Sequence, residues 1–436
     1  MEKEMNLSSD PIPKLFLKFL IPAVTGTLVT AFYGVVDGIF IGQGLGGAGL
    51  AAVNIGYPVV NFIVALALAF GAGGATLVSI YESDKNYKNK CFTHTIGLNI
   101  VSYILIVLAI LAMGDNLFYI LGSNKELMPM VKDYVYTCSG AGIFLMLSIT
   151  LSSIVRNDRA PNYAMKAMLL GAVTNIILDY VFIFQMNMGM KGAALATGIG
   201  QLLSTLFLIK YFFSKKCSIN LSFQKIDFPL LFRIFYIGFP SFILEFAVAF
   251  ITVLFTKAFF KYIGEVGVSA FAIVGYIFYI FRMLFNGLAQ GIQPIVSYNY
   301  GKKEAERIKK IFFLGHKISL AVSIILLLFL KFEGHLIVKL FNDDLELINL
   351  ANRGLLLYSS AMIFVGANFI NISYLQSKDR AGAANIISIG RSMVFVTGAL
   401  FFLPETLGID GIWLALPCSD FLTFLTSLTF KSKKTA

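Results

Sequence analysis

The sequence predicts an all-α polytopic membrane protein, with twelve transmembrane helices in two six-helix lobes related by a parallel pseudo-two-fold repeat. Of its 436 residues, 57% are hydrophobic and only 14% are charged, a ratio outside the range of soluble domains. Apolar stretches of about 20 residues, long enough to cross a bilayer as a helix, recur along the whole chain. Segments of the first half also reappear in the second half.

The predicted spans are charge-poor stretches bounded by charged or turn-forming residues. A Gly-rich turn, GQGLGGAG at residues 42–49, separates the first two spans, and charged or turn residues separate the others. In chain order the spans are 16–41, 50–81, 93–113, 132–155, 163–184, 192–213, 235–258, 268–298, 311–330, 354–376, 381–403 and 409–430.

Basic residues predict the orientation. They collect in KNYKNK (85–90), in residues 210–233, in KKEAERIKK (302–310) and in the tail KSKK (431–434). Because cytoplasmic loops retain Lys and Arg, we expect a multi-pass membrane protein with both termini cytoplasmic and an even number of crossings. The net charge of +11 then reflects topology, and no nucleic-acid partner is expected. The N-terminal segment does not resemble a removed signal peptide.

An internal repeat connects the two halves. LGGAGLAAVNI at 45–55 aligns with IGEVGVSAFAI at 263–273, an offset of 218, and GMKGAALA at 189–196 aligns with GIDGIWLA at 408–415, an offset of 219. This offset covers six crossings, so both halves enter the membrane from the same side, as in parallel-repeat transporters that rock around a central site. The predicted units are an N-lobe (1–213), a cytoplasmic linker (214–234) and a C-lobe (235–436).

Acids inside spans are the first candidates for function, because an ionised side chain at mid-bilayer costs roughly 2.5 to 3.5 kcal/mol on insertion scales. Asp179 and Asn175 stand four residues apart and share a helix face, and Thr197 adds a hydroxyl a short loop away. These groups suit a hard cation such as Na+, or a protonated acid with its partner. The alternative is that a donor on a neighbouring helix satisfies Asp179 structurally.

Asp37 lies near the predicted outer end of the first span. It is either an interfacial aspartate or a second coupling acid. Two acids in one lobe suit an exchanger, because a neutralised pair tolerates tight packing whereas a charged pair favours a wet cavity that attracts cations. Pro22 removes a backbone hydrogen bond in the same span and is the predicted hinge.

The second half contains further charged candidates. Glu245 lies mid-span and either contributes to substrate binding or coupling, or pairs with Arg282 or Arg391. Arg391 and Asp420 are predicted to form an interhelical pair.

Aromatic residues are abundant, with 42 Phe and 19 Tyr, and most of them pack or face lipid. Aromatic faces bind organic cations, and methionine adapts to varied shapes. Beside Glu245 and Arg282, the predicted cavity residues are Tyr33, Tyr57, Tyr276, Tyr279 and Met283, and core packing is the alternative role for each of them.

Enzyme signatures are not found. The sequence lacks HExxH, Walker A and GxSxG motifs, and its four cysteines show no metal-ligand spacing. We therefore expect a protein that is not an enzyme and has no cofactor, with transport driven by an ion gradient.

Four motifs resemble those of the multidrug and toxic compound extrusion (MATE) transporters, in the bacterial branch that includes the staphylococcal multidrug exporter and the DNA-damage-inducible F proteins. They are VVDGIFIGQGLGGAGLAAVNIGYP (35–58), NIILDYVFIF (175–184), GMKGAALATGIGQ (189–201) and GIQPIVSYNYGKKEAERIKK (291–310). The resemblance implies cation coupling at Asp37, Asn175, Asp179 and Thr197, where Na+ is a candidate ligand, and bending at Pro22.

The expected function is therefore secondary active export of cationic or amphipathic organic compounds in exchange for H+ or Na+. We expect a monomer whose other partner is membrane lipid. A lipid-linked oligosaccharide flippase of the same superfamily is the nearest alternative, and a channel is a more distant one.

Overall fold

The computed structural model describes residues 6–222, 224–341 and 344–431, and within that part of the chain it contains helices and no strand. Lys433 and Lys434 of the basic tail lie outside the described residues. The helices are α1 Ile12–Ile80, α2 Lys85–Met113, α3 Asp115–Ile120, α4 Met128–Asn157, α5 Pro161–Asp179, α6 Gly189–Phe212, α7 Phe228–Ile263, α8 Glu265–Gly301, α9 Ala305–Lys339, α10 Leu345–Ser359, α11 Met362–Ser377, α12 Ala381–Ile389, α13 Val396–Leu407 and α14 Ile409–Lys431. The π-helical segment Tyr180–Gln185 prolongs α5, and Gly390–Phe395 joins α12 to α13.

Helix α1 makes two crossings. Its 69 residues would extend about 100 Å as one straight helix, more than three times the roughly 30 Å of a bilayer core. Gly46 interrupts it with φ 67° and ψ −162°, a conformation that glycine adopts readily. The first arm (12–45) and the second arm (47–80) correspond to the first two predicted spans. Of the predicted Gly-rich turn at 42–49, only Gly46 has non-helical dihedral angles.

The count of twelve crossings follows from these arms. Ten of the described helical segments are long and apolar enough to span a membrane, with α1 counted once, and α10 with α11 forms one more bent span. Counting both arms of α1 gives twelve, so the predicted fold class is confirmed.

Several helices begin earlier than the predicted spans. Helix α2 starts at Lys85 because Asp84 caps it, its Oδ1 accepting a hydrogen bond from the backbone N of Tyr87 at 3.1 Å. Helix α9 likewise starts at Ala305. The basic segments KNYKNK and AERIKK are therefore helical turns rather than loops. A hydropathy window ends where the chain becomes polar, and a capped helix continues past that point.

The tenth predicted span (354–376) is a bent crossing made of two helices. Helices α10 and α11 meet at residues 360–361 with a bend of 41°. The Ser360 hydroxyl donates to the carbonyl of Leu357 at 2.7 Å, and serine bonds of this kind to the preceding turn often bend helices. The short helix α3 was also not predicted.

Backbone geometry repeats between the halves. Gly46 and Gly264, 218 residues apart, have φ values of 67° and 72°, and Gly189 and Gly408, 219 residues apart, have φ values of 60° and 58°. Each half also contains one π-helical segment, in its fifth crossing. These features agree with the parallel repeat predicted from the sequence.

Residues 213–222 and 224–227, between α6 and α7, are docked on α2. The backbone N of Asn220 donates to Asn89 at 2.9 Å, and that of Asp227 donates to His94 Nε2 at 3.0 Å. The carboxylate of Asp227 binds Lys90 at 2.6 Å, and this ammonium lowers the pKa of the carboxyl. We call this end of the molecule the linker end and the Gly46 end the hairpin end. The predicted lobe boundaries stay predictions, and the one at 234/235 falls inside α7.

Candidate cation and substrate site

Close contact between α5 and α6 positions the first two candidate residues. A Cβ on Gly200 would lie 2.7 Å from the carbonyl oxygen of Gly171, so the two backbones touch, as small residues permit in membrane bundles. One turn beyond Gly171, the Nδ2 of Asn175 donates to the hydroxyl of Thr197 at 3.2 Å. Among the described residues, the amide oxygen of Asn175 has no hydrogen-bond donor.

Asp179 is the last residue of α5 and is fully buried. Within the described part of the chain, no donor lies within 3.5 Å of either carboxylate oxygen in hydrogen-bonding geometry, although the Asn175 side chain lies near the carboxyl group. The π-helical segment starts directly after it, and such segments often occur at functional sites. Because a buried carboxylate without donors is unfavourable, this position favours a bound proton or cation.

Asp37 approaches Asp179 from the first arm of α1. Their carboxyl groups lie within hydrogen-bonding reach of each other, and one oxygen of Asp37 is buried without a donor. Tyr33, one turn before Asp37, lies within electrostatic range of both acids. Two adjacent carboxylates repel unless a proton or cation lies between them.

The four residues predicted to couple cations are thus brought together. They present two carboxylates, an amide oxygen and a hydroxyl, all hard oxygen groups. The described residues contain no group of three or more His, Cys, Asp or Glu side chains suited to a metal ion. This donor set fits a proton or a hard cation such as Na+.

The second half contributes an ion pair at the cleft between the lobes. Arg282 Nη2 donates to Glu245 Oε2 at 3.3 Å, and the two side chains are only 10% and 12% exposed. Of the alternatives for Glu245, pairing with Arg282 is therefore observed. Arg391 instead holds Asp420 with two bonds of 2.6 and 3.2 Å, as predicted.

The predicted cavity residues lie in different surroundings. Tyr57 and Tyr279 are within electrostatic range of Glu245, and Tyr57 keeps 41% exposure. Met283 is buried, and its carbonyl accepts a bond from Thr27 at 3.1 Å. The side chain of Tyr276 is 61% exposed, and its place in a cavity stays a prediction.

Pro22 lies buried inside the first arm of α1. The helix keeps helical dihedral angles through this residue, and Gly46 is the break in α1. The predicted hinge at Pro22 is therefore still a prediction.

Sequence reasoning missed the polar residues that join the lobes. Asn61 donates to the carbonyl of Glu245 at 3.4 Å, and Thr27 bonds Met283 as described. Helix α8 also carries polar side chains every three or four positions between Tyr279 and Ser297. This spacing, visible in the printed sequence, is the signal that could have found them.

Family comparison gives two matches. The MatE family model matches residues 22–181 and again residues 240–399. The two matched segments start 218 residues apart, the offset of the internal repeat.

Curated relatives match over nearly the whole chain. The multidrug export protein MepA of Staphylococcus aureus (strain MSSA476) is 26% identical over 432 residues, covering 98% of this chain and 95% of the relative. The protein of the same name from Staphylococcus saprophyticus is 24% identical, covering 95% and 92%.

Solved structures share the fold. The outward-facing conformation of a multidrug resistance MATE family transporter of the MOP superfamily superposes with a TM-score of 0.92 at 22% identity, covering 99% of this chain and 97% of that chain. A MOP superfamily transporter from Pyrococcus furiosus gives 0.91 at 21% identity, covering 98% of each chain. With its two-lobe helical fold and two family matches, the chain belongs to the MatE (MATE) transporter family.

Proposed function

We propose that this protein is a secondary active multidrug exporter that exchanges H+ or Na+ for cationic or amphipathic organic compounds by alternating access. The observation that carries the proposal is the contact between Asp37 and Asp179, where buried carboxylate oxygens have no hydrogen-bond donor. The names of the relatives, multidrug export proteins, support the substrate class.

Exchange follows from competition for the two carboxylates. When a proton or Na+ neutralises them, they tolerate the dry packing seen around Asp179. When the cation leaves, the charged pair attracts an organic cation, which Tyr33 contacts through its ring. A ligand shifts the conformational balance only through its differential affinity for the two states, so each cation favours its own arrangement of the lobes.

The electrochemical gradient of the coupling cation suffices to drive this exchange. One cation moved down an electrochemical gradient equivalent to about 100 mV supplies about 2.3 kcal/mol, so one or two cations support electrochemical gradients of the substrate of roughly 50-fold to a few thousand-fold.

The cleft chemistry favours a cationic substrate over the pyrophosphate of a lipid-linked oligosaccharide. Asp37, Asp179 and Glu245 outnumber Arg282, which is itself paired with Glu245. We also propose that the linker end faces the cytoplasm of a bacterial cell and that the monomer is the functional unit. In cells, a cysteine placed at Lys302 should then resist a membrane-impermeant thiol reagent, and ready labelling from outside would reverse the orientation.

Dye efflux from proteoliposomes tests the function. Purified protein is reconstituted, and ethidium-type dye flux is followed under separately imposed Na+ and pH gradients. We expect Asp179→Asn to abolish gradient-driven flux and Asp37→Asn to impair it. The matched control is Asp133→Asn, a surface acid bonded to Lys191, and it should transport like the parent. Full gradient-driven transport by Asp179→Asn would refute the coupling assignment, and flux indifferent to both gradients would favour a channel.

A further inference from the structure

Helix α8 carries a continuous polar stripe along the cleft. The stripe consists of Tyr279, Arg282, Asn286, Gln290, Gln293 and Ser297, spaced three or four residues apart and so on one helix face. Toward the linker end it binds the other lobe, where Gln293 Nε2 donates to Thr76 at 2.9 Å and to the Ala72 carbonyl at 3.0 Å.

Exposure along this stripe ends beyond Gln290. Tyr279, Asn286 and Gln290 are half-buried and the ion-paired Arg282 is 8% exposed, whereas Gln293 is 7% exposed and Ser297 is fully buried. The cleft between the lobes therefore reaches Gln290 and closes immediately beyond it. We call the contact around Gln290 the cleft floor.

An arginine from the first half completes the cleft floor. Arg156 lies in the last turn of α4, is 7% exposed, and donates from Nη1 to Gln290 Oε1. Among the described residues, no carboxylate lies within 4.0 Å of its guanidinium. The nearby acids Asp158 and Glu82 bind Lys88 instead.

Most other arginines of the described residues have acidic partners. Arg159 pairs with Glu82, Arg233 with Asp379 and Arg353 with Asp410, in addition to the pairs of Arg282 and Arg391. Arg307 and Arg380 bind backbone carbonyls instead. A glutamate at position 290 would have supplied Arg156 with a partner of nearly the same shape. The neutral partner leaves an uncompensated positive charge at the cleft floor, where the surroundings screen it weakly.

We propose that Arg156 is an electrostatic barrier that stops cations from passing the cleft floor. A fixed positive charge in a narrow, poorly hydrated passage excludes other cations, as charged side chains do in selective pores. The barrier confines the coupling cation to the acids above the floor, so that it crosses only when the lobes rearrange. The inference rests on the proposed function, because a cation leak past the cleft floor would weaken the coupling between cation and substrate transport.

Passive cation leak in the absence of any substrate tests this inference. Vesicles containing the parent, Arg156→Gln, Arg156→Lys or Gln290→Glu are given a Na+ or proton gradient with the membrane potential clamped, and cation entry is recorded with an ion-sensitive dye. We expect Arg156→Gln and Gln290→Glu to leak about tenfold faster than the parent or more, equivalent to roughly 1.4 kcal/mol. Arg156→Lys keeps the charge and should remain tight.

Gln290→Glu distinguishes an electrostatic barrier from a contact that only holds the two lobes together. The variant keeps Arg156, neutralises its charge and strengthens its contact with position 290. An electrostatic barrier therefore predicts a faster cation leak, whereas a purely structural contact predicts a slower one. A tighter Gln290→Glu protein would overturn the inference, as would unchanged leak in either neutralising variant. If Arg156→Gln fails to fold, Gln290→Glu carries the test alone. Dye efflux by the parent is measured separately, so failure of the proposed function is recognised independently.

Discussion

At the scale of single residues, the coupling site combines one well-satisfied contact with several unsatisfied atoms. The amide of Asn175 is held by Thr197 at 3.2 Å, whereas its oxygen and both oxygens of Asp179 have no donor in the described structure. Thr197 therefore orients the amide of Asn175. In the proposed coupling site, this leaves the amide oxygen available to a cation, and we propose that Thr197 positions Asn175 in addition to any direct contact with the ion.

Thr197→Val tests this positioning role. The substitution keeps the shape and removes the acceptor of Asn175, so we expect the cation concentration for half-maximal efflux to rise about fivefold, the equivalent of one hydrogen bond of roughly 1 kcal/mol. Thr252→Val is the matched control, because Thr252 is exposed and bonds only the Val248 carbonyl of its own helix. An unchanged cation dependence in Thr197→Val would contradict the role.

The pair of Glu245 and Arg282 predicts strong thermodynamic coupling. Removing one partner leaves the other charge largely buried, so Glu245→Gln or Arg282→Gln alone should lower the free energy of unfolding by about 1 to 3 kcal/mol. The double variant should lower the free energy of unfolding by less than the sum of the two single losses. Thermal unfolding in detergent measures this, and additive losses would show that the two charges do not interact.

At the scale of helices, the crossings were predictable and their irregularities were not. Hydropathy located all twelve spans and spacing placed Asp179 and Asn175 on one face, because both depend on local sequence. The break between α10 and α11, where the Ser360 hydroxyl bonds the Leu357 carbonyl, and the two π-helical segments leave no mark in a hydropathy window. The contact of Asp37 with Asp179 was expected only as two acids in one lobe, since the packing that joins their helices is long-range.

Helix packing at Gly200 gives a prediction about α5 and α6. Gly200→Ala places a methyl group 2.7 Å from the Gly171 carbonyl, so we expect a loss of about 1 to 3 kcal/mol from overpacking and weaker cation coupling, as Asn175 and Thr197 separate. Gly97→Ala is the matched control, since no atom lies within 4 Å of the added carbon. Gly97→Ala should raise the free energy of unfolding by up to about 1 kcal/mol. Equal free energies of unfolding for the two variants would refute the close contact of α5 with α6 at Gly200.

At the scale of the whole molecule, the lobes are closed at the linker end. Side-chain hydrogen bonds join them there, including Gln293 to Thr76 at 2.9 Å and Lys302 to Ser83 at 2.7 Å. In the described part of the chain, none of these inter-lobe bonds involves residues 28–60, which form the hairpin half of α1. The side-chain hydrogen bonds between the lobes thus concentrate toward the linker end.

Alternating access requires the linker end to open during each cycle. In a protein whose native cysteines are replaced, Ser83→Cys combined with Lys302→Cys should accept a short reducible bifunctional cross-linker. The cross-link should stop efflux almost completely, and reduction should restore it. Each single-cysteine protein, treated identically, controls for modification. Efflux that continues after complete cross-linking would show that this end does not open.

The measurement that tests the central claim most directly is substrate-driven cation counterflow. Proteoliposomes that start without an H+ or Na+ gradient receive a gradient of an organic cation. Movement of H+ and of Na+ in the opposite direction is then recorded for the parent and for Asp179→Asn. Because coupling is reciprocal, the parent should move one of these cations against the substrate flow, and Asp179→Asn should not. Substrate flux in the parent without any counter-movement of either cation, or equal counterflow in Asp179→Asn, would contradict exchange at Asp37 and Asp179.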